Sequence, residues 1–548
     1  MALGGLCCFR YPEKMKTFTH PATDFSSDAW SHLDPARRRL LEQSWAGVFR
    51  QHLLPSLPVE ALGACFPQTR GRPRKDFRVM LGALILQQLH DYTDAETVEA
   101  VAFNLAWHYA LDITPPTPLY ICERTLRNYR HMVREHGLAQ LVLQQLTDVL
   151  IRTFAVDTRL QRIDSTTVRS AVRTLTRLGI VVETVSKFLR ELARYEPVLY
   201  TWVGPEVIQR YVERGGEGCF ALTKAGESRR RLPEAVTVLG ALAQQFANTT
   251  AATLGSYQLL RRVLSEQCEV NKDANGDPSI QIKVAAEIPC DSLQHPADPD
   301  SSYNVYRGQG YAVQILETYA EDDEAAGATP TDRSQPDLIT HVAVHKMTHH
   351  DSQALAPALA DVGSRQWCPA RLLGDSHYGS IESVEQFHSE GIALVAPAMP
   401  PKGSKQGQLT LEDFRLDAVG RVVACPQEPV PVWTSVSETK LAVRFDLVLC
   451  QVCPSMHKCP GAVSAQPKKN GRWQYTHERV AQYHRRLAEQ EPAFTAQYRW
   501  RAGIEATMAR LKHQMHLAHL RVRGMAAVCY TVFLRALGLN VLRVAAYQ

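Results

Sequence analysis

The 548-residue chain has no uninterrupted apolar run long enough to cross a bilayer. Its nearest approach, Met525 to Tyr547, is broken by Arg535, Asn540 and Arg543, which marks a packed helix rather than a span. The opening MALGGLCCFR has too short an apolar stretch, and the wrong order of charge, for a secretory signal. Met15 is an alternative start, because Met1 to Lys14 matches no element. The 13 cysteines are odd in number and scattered, unlike a disulfide framework, and suit a reducing compartment. The expected location is therefore cytoplasmic, with no membrane partner. A strong charge bias is missing too: a net +5 spread over 61 basic and 56 acidic residues points only weakly to a polyanion. What is present is ordinary globular material, 45% hydrophobic and 21% charged, which excludes a mostly disordered chain. At about 150 residues per domain, the length predicts two to four domains.

Residues 31–150 read as a helical domain behind a tail of residues 1–30. The basic stretch Arg70-Gly-Arg72-Pro-Arg74-Lys75 enters an apolar helical run from Phe77 to His90. Thr93 or Asp94 caps the next helix. After Pro115 to Pro118, an arginine-rich segment holds Arg127 and Arg130. Short helices ending in an arginine-rich one fit a helix-turn-helix, although a basic helix is also an ordinary solvated face. Helical periodicity with no catalytic motif dominates residues 178–260. Asp273 to Asp277 opens like a calcium loop but lacks the later ligands, which leaves a plain turn. Strands are expected after Gly310 and over Leu338 to Val344, with the acidic run Glu317 to Glu324 as the solvated hairpin loop between them.

Four cysteines cluster late in the chain: Cys425, Cys450, Cys453 and Cys459. Four thiolates would close one structural zinc site, but the spacing is irregular, His457 is an alternative ligand, and reduced thiols are the plain alternative. Two aspartates sit where strands end. Ile163 leads into Asp164-Ser-Thr-Thr, which is otherwise a turn or an N-cap. Leu372 and Leu373 deliver Asp375 to a turn closed by Gly379, with a helix from Ile381 following and His377 and Tyr378 as packing or loop residues. The stretch Tyr498 to Lys512 places Tyr498, Arg501, Glu505 and Lys512 within roughly 60° of one another on a continuous α-helix. Alone, that is an amphipathic face with an Arg501–Glu505 pair worth a few tenths of a kcal/mol.

The Tyr-x2-Arg-x3-Glu-x6-Lys spacing, and the contexts of both aspartates, resemble the DDE transposases of insertion sequences, specifically the IS1182 group of the IS4/IS5-like clan. The resemblance runs from about residue 65 to the end and includes GRPRKDFRVMLGALILQQLHDYTDAETVEA and TLRNYR. It implies an α/β fold with a ribonuclease-H-like mixed sheet flanked by helices, preceded by the all-α domain. The catalytic domain would be 151–548, carrying a helical insertion at 171–295 and the cysteine-containing insertion at 400–475. Asp164, Asp375 and Glu505 would hold two Mg2+ or Mn2+ ions, hard cations that carboxylate oxygens select. Tyr498, Arg501 and Lys512, with Arg72, Arg74, Lys75, Arg127 and Arg130, would contact DNA. The implied activity is cleavage at the ends of the protein's own element and transfer of the 3′-hydroxyl ends to target DNA, near the bacterial nucleoid. Double-stranded DNA and a second copy of the chain are the implied partners. The long gap between the aspartates and the weak helix-turn-helix depart from the pattern, which leaves end recognition open. Asp298 and Asp300 are spare acids. A nuclease of the same fold and a silent DNA-binding relic are the other readings.

Overall fold

Asp76 starts the first long helix, accepting the backbone N–H of Arg78 (2.7 Å) and Val79 (3.1 Å). In the computed structural model, which describes residues 30–66, 74–114, 120–213, 226–272, 278–321, 334–401, 407–461 and 472–548, this helix is α1, Phe77–His90. Its residues are buried almost without break from Val79 to Gln87, so it lies inside the helical layer. Thr93 caps α2 (Asp94–Phe103) in a reciprocal box with Glu96. The amphipathic α3 (Glu123–Glu135) buries Leu126, Tyr129 and Val133, and α4 (Leu138–Thr153) leads to the sheet. The tail with Met15, Arg70 and Arg72, the Pro115–Pro118 spacer and the 273–277 turn lie outside the described residues.

The central sheet opens with β1, Leu160–Val168. Helices α5 (Arg177–Tyr195), α6 (Glu227–Gln245) and α7 (Gly255–Gln267) then form a unit with its own core of Val182, Val185, Phe188, Leu189, Leu239 and Phe246. The chain returns through β2 (Ser302–Asn304), β3 (Gly308–Thr318) and β4 (Ile339–Lys346). It continues as β5 (Arg371–Leu373), α8 (Ile381–Ser389) and β6 (Ala393–Val395). The sheet order is β4-β3-β1-β5-β6, with β2 paired to the start of β3. β3 runs antiparallel to β1 and β4, while β5 and β6 run parallel to β1. Beyond it, a small β module centres on Phe414, Leu441, Val443, Trp473 and Tyr475.

Near the C-terminus, α9 (Pro492–Tyr498), α10 (Gly503–His513) and α11 (Met525–Tyr547) close the structure. By length and composition α11 would pass for a membrane span, yet 78% of its most apolar window is buried in the protein against α1, α4 and β4. The three polar interruptions are contacts. Arg535 donates to the carbonyls of Met515 (2.6 Å) and His516 (2.7 Å), Asn540 bonds both backbone groups of Ile339, and Arg543 meets Glu317 at 2.9 Å. The apolar core runs from the N-terminal helices through α11 to β3 and β4 without a break at residue 150.

Three expectations need correction. Asp164 is not at a strand end: β1 continues to Val168, and it is the parallel neighbour β5 that stops beside Arg162. The stretch Tyr498 to Lys512 is not one helix, because Arg499–Ala502 tightens into a 3-10 turn. Arg162 from β1 is packed against this turn. It takes the Trp500 carbonyl at 2.8 Å, and a Cβ on Gly503 would lie 2.1 Å from its guanidinium. Glu317 is no loop residue: it is fully buried on β3, between Arg162 (2.7 Å) and Arg543 (2.9 Å), with Thr507 donating from α10 at 2.7 Å. Burial opposes its charge, but the two guanidiniums prevail and hold its carboxyl below the usual range.

Candidate active site

β1 and β5 run in parallel and pair as far as Arg162 with Leu373. Asp164 and Asp375 stand two residues beyond that pair on each strand's course, near enough for the Asp375 charge to act on Asp164. Asp375 follows its strand into a tight turn and accepts the N–H of His377 at 2.9 Å. Asp164 accepts the N–H of Ser165 at 2.8 Å and the guanidinium of Arg501 at 2.8 Å. The other arm of Arg501 reaches Glu505 at 3.1 Å. One cation from the 3-10 turn thus bridges the first aspartate and the glutamate. Glu505 remains 67% exposed, open to further ligands.

The charge here is under-compensated. Burial first, then the neighbouring charges of Asp375 and Asp351, hold the Asp164 carboxyl above the ordinary aspartate value, against the pull of Ser165 and Arg501. Burial disfavours the Arg501 cation, but Asp164, Tyr498, Asp375 and Glu505 outweigh it and hold the cation more firmly. Tyr498 stacks on Phe494 at 5.4 Å, and its phenol is pushed up mainly by burial. Lys512 is half-buried seven residues beyond Glu505, roughly 10 Å along the helix.

Several neighbours were missed in the sequence. Asp351, 9% exposed, pairs with Arg307 at 2.7 Å, and Arg307 also donates to Ser165 Oγ at 3.0 Å. The Tyr378 hydroxyl accepts from Gln314, and the ring is fully buried, so it is the packing residue expected of it. His377 lies edge-on to His350 at 5.7 Å. No spacing flags Asp351 or Arg307; the one usable signal is that Arg307 precedes the Gly308-Gln-Gly310 turn into a strand. Asp298 and Asp300 are structural. Asp298 accepts from Ser170, Tyr311 (2.5 Å) and the N–H of Gly524 (3.1 Å), and Asp300 accepts the N–H of Met525 (2.8 Å), at the start of α11.

The remaining candidates are dispersed. Arg74 lies over the Phe66 ring at 5.3 Å, and the Lys75 carbonyl accepts from Tyr129 at 3.0 Å. Arg127 is exposed on α3, whereas Arg130 is committed inward to Asp94 and Gln87. Cys425, Cys450 and Cys459 pack on the core of the β module. Burial first, and then the other thiols of the quartet, push Cys425 and Cys450 up. As the side chains stand, no three His, Cys, Asp or Glu among the described residues are grouped to hold a metal ion.

Asp164 on β1 and Asp375 in the turn after β5 thus lie near the 3-10 turn and helix that carry Arg501 and Glu505. The family model of the transposase DDE domain matches residues 424–545, and that of the transposase domain DUF772 matches residues 46–132. This pairing of domain matches is typical of IS1182-family transposases. The DDE match takes in Glu505 but begins after both aspartates. No curated protein and no solved structure matches the chain.

Proposed function

We propose that the protein cuts DNA at the ends of its own insertion sequence and joins the freed 3′-hydroxyl ends to target DNA. The observation that carries this is Arg501 holding Asp164 at 2.8 Å and Glu505 at 3.1 Å, with Asp375 near enough for its charge to act on Asp164 and Arg501. The sheet order and strand directions support a ribonuclease-H-like core. Asp164, Asp375 and Glu505 are the residues that would hold Mg2+ or Mn2+. Their fit rests on the donor set, three carboxylates offering hard oxygens; burial and then the charges of Asp375 and Asp351 raise the Asp164 carboxyl. Bound there, two such ions supply an activated water or 3′-hydroxyl and neutralise the leaving oxygen. Arg501, released from its carboxylates, grips a phosphate together with Lys512, and Tyr498 fixes the turn that presents them. Arg127, Arg74 and Lys75 contribute DNA contacts from the helical domain, and two copies of the chain bring two ends together. Cys425, Cys450, Cys453 and Cys459 are the residues that would hold a structural zinc in the β module, with ordinary reduced thiols as the other reading.

The test is cleavage and strand joining, with Mg2+ or Mn2+, of DNA carrying the terminal repeats that flank the reading frame, comparing wild type with Glu505→Gln. Cutting by the wild type, with binding but no cutting by the variant, supports the proposal. Equal cutting by both removes Glu505 from the chemistry. Binding without cutting by both leaves the silent relic, and cutting without joining leaves a nuclease.

A further inference from the structure

Between β2 and β3 the chain turns in three residues, Val305, Tyr306 and Arg307, since Asn304 pairs with Gly308. The turn is locked from within. The Asn304 side-chain oxygen accepts the N–H of Tyr306 (2.9 Å) and of Arg307 (3.2 Å), and Gly308 adopts a φ of +80° that L residues rarely take. Arg307 then anchors the turn to the active site, through Ser165, the neighbour of Asp164, and through Asp351. At the tip, Tyr306 is 96% exposed and Val305 79%. The guanidinium of the exposed Arg169 passes 3.7 Å from the position of a Cβ on Gly308.

A single exposed tyrosine needs no explanation. This one stands on a turn locked by Asn304, precedes Arg307, whose guanidinium reaches the residue beside Asp164, and lies two residues before Gly308, which Arg169 approaches. Aromatic faces next to cations, in a groove that leads phosphates to carboxylates, are the components of a single-strand platform. A rigid turn also loses little entropy when a base stacks on it. We infer that Tyr306 is a stacking platform for an unpaired DNA base beside the phosphate being cut, with Arg169 holding the adjoining backbone. The inference rests on the proposed DNA cleavage and names a contact of that same site.

The test uses the full chain and terminal-repeat DNA carrying 5-iodouracil at successive positions around the scissile phosphate. Wild type, Tyr306→Ala and Tyr306→Phe are irradiated, and the cross-linked residue is located by mass spectrometry. The expected result is a cross-link to residue 306 at one or two positions in wild type and Tyr306→Phe. In Tyr306→Ala it is lost and cleavage falls about tenfold, the scale of one base–aromatic stack, with end binding retained. Wild-type cleavage with no cross-link at residue 306, and Tyr306→Ala cutting at the wild-type rate, overturns the inference while leaving the proposed activity standing. If wild type cuts none of these DNAs, the activity fails and the platform with it.

Discussion

Arg162 and Asp164 stand two residues apart on β1 and belong to two opposite arrangements of charge. Around Arg162, the buried Glu317 has two guanidiniums and a hydroxyl, and its negative charge is fully answered by the protein. Around Asp164, the carboxylates of Asp375 and Asp351 add to the negative charge, and Arg307 and Arg501 answer only part of it. One network is closed and ties β1, β3, α10 and α11 together. The other is open and sits at its rim. A buried charge that is paired on all sides serves the fold, whereas acids left facing one another at the end of a strand pair call for a cation from outside.

The sharpest way to separate the two is to neutralise one acid in each. Asp375→Asn is expected to lower DNA cleavage by at least about a thousandfold, the scale of losing a catalytic group, with no loss of thermal stability, since it removes repulsion. A cleaving Asp375→Asn protein would break the comparison. Glu317→Gln is expected to do the reverse to the fold, lowering unfolding free energy by about 3–5 kcal/mol, because two buried guanidiniums lose their partner. Its carboxyl is depressed in the folded protein, so its stabilisation is present above the unfolded value and is lost as pH falls through the folded one. Denaturant titrations of wild type and variant should therefore converge on acidification; a constant difference would mean that charge is not the cause.

The four thiols of the β module are a third case, near enough for Cys425 and Cys450 to feel the others but not gathered into a ligand set. If zinc binds them, metal analysis gives one zinc per chain, and chelation or Cys450→Ser lowers Tm by roughly 2 °C, equivalent to about 2 kcal/mol in a chain of 548 residues. A zinc-free, equally stable protein would assign the thiols to ordinary packing. The smallest effect concerns the open site. Because the Asp164 carboxyl is raised, calorimetric Mn2+ binding should weaken on acidification while ordinary aspartates are still charged. Asp351→Asn should move that midpoint to lower pH by removing one repelling charge. An unmoved midpoint would exclude Asp351 from the field at the site.

The difference between the two networks also marks what the sequence could reveal. Asp164, Asp375 and Glu505 could be singled out because each has a local context, a turn after Asp375 or a fixed spacing through Glu505, that resembles a known family; the strand end expected at Asp164 was not there, since β1 runs on to Val168. Glu317 could not be, since its partners lie 155 and 226 residues away and nothing near it signals burial. The broken helix was illegible for the same reason. The residue that donates to the Trp500 carbonyl at this turn is 338 positions earlier. The helical domain was readable from periodicity, and Thr93 from its capping pattern, but the core it shares with the last helix depends on pairings that local sequence does not carry.

That shared core sets a clock on synthesis. Asn540 on α11 meets Thr147 on α4 across 393 residues of chain. At about 5–20 residues per second, the ribosome needs roughly 20–80 s to span that distance. Throughout that time the apolar sides of α1 and α4 lack the helix that covers them, so the domain that emerges first is among the last to be finished.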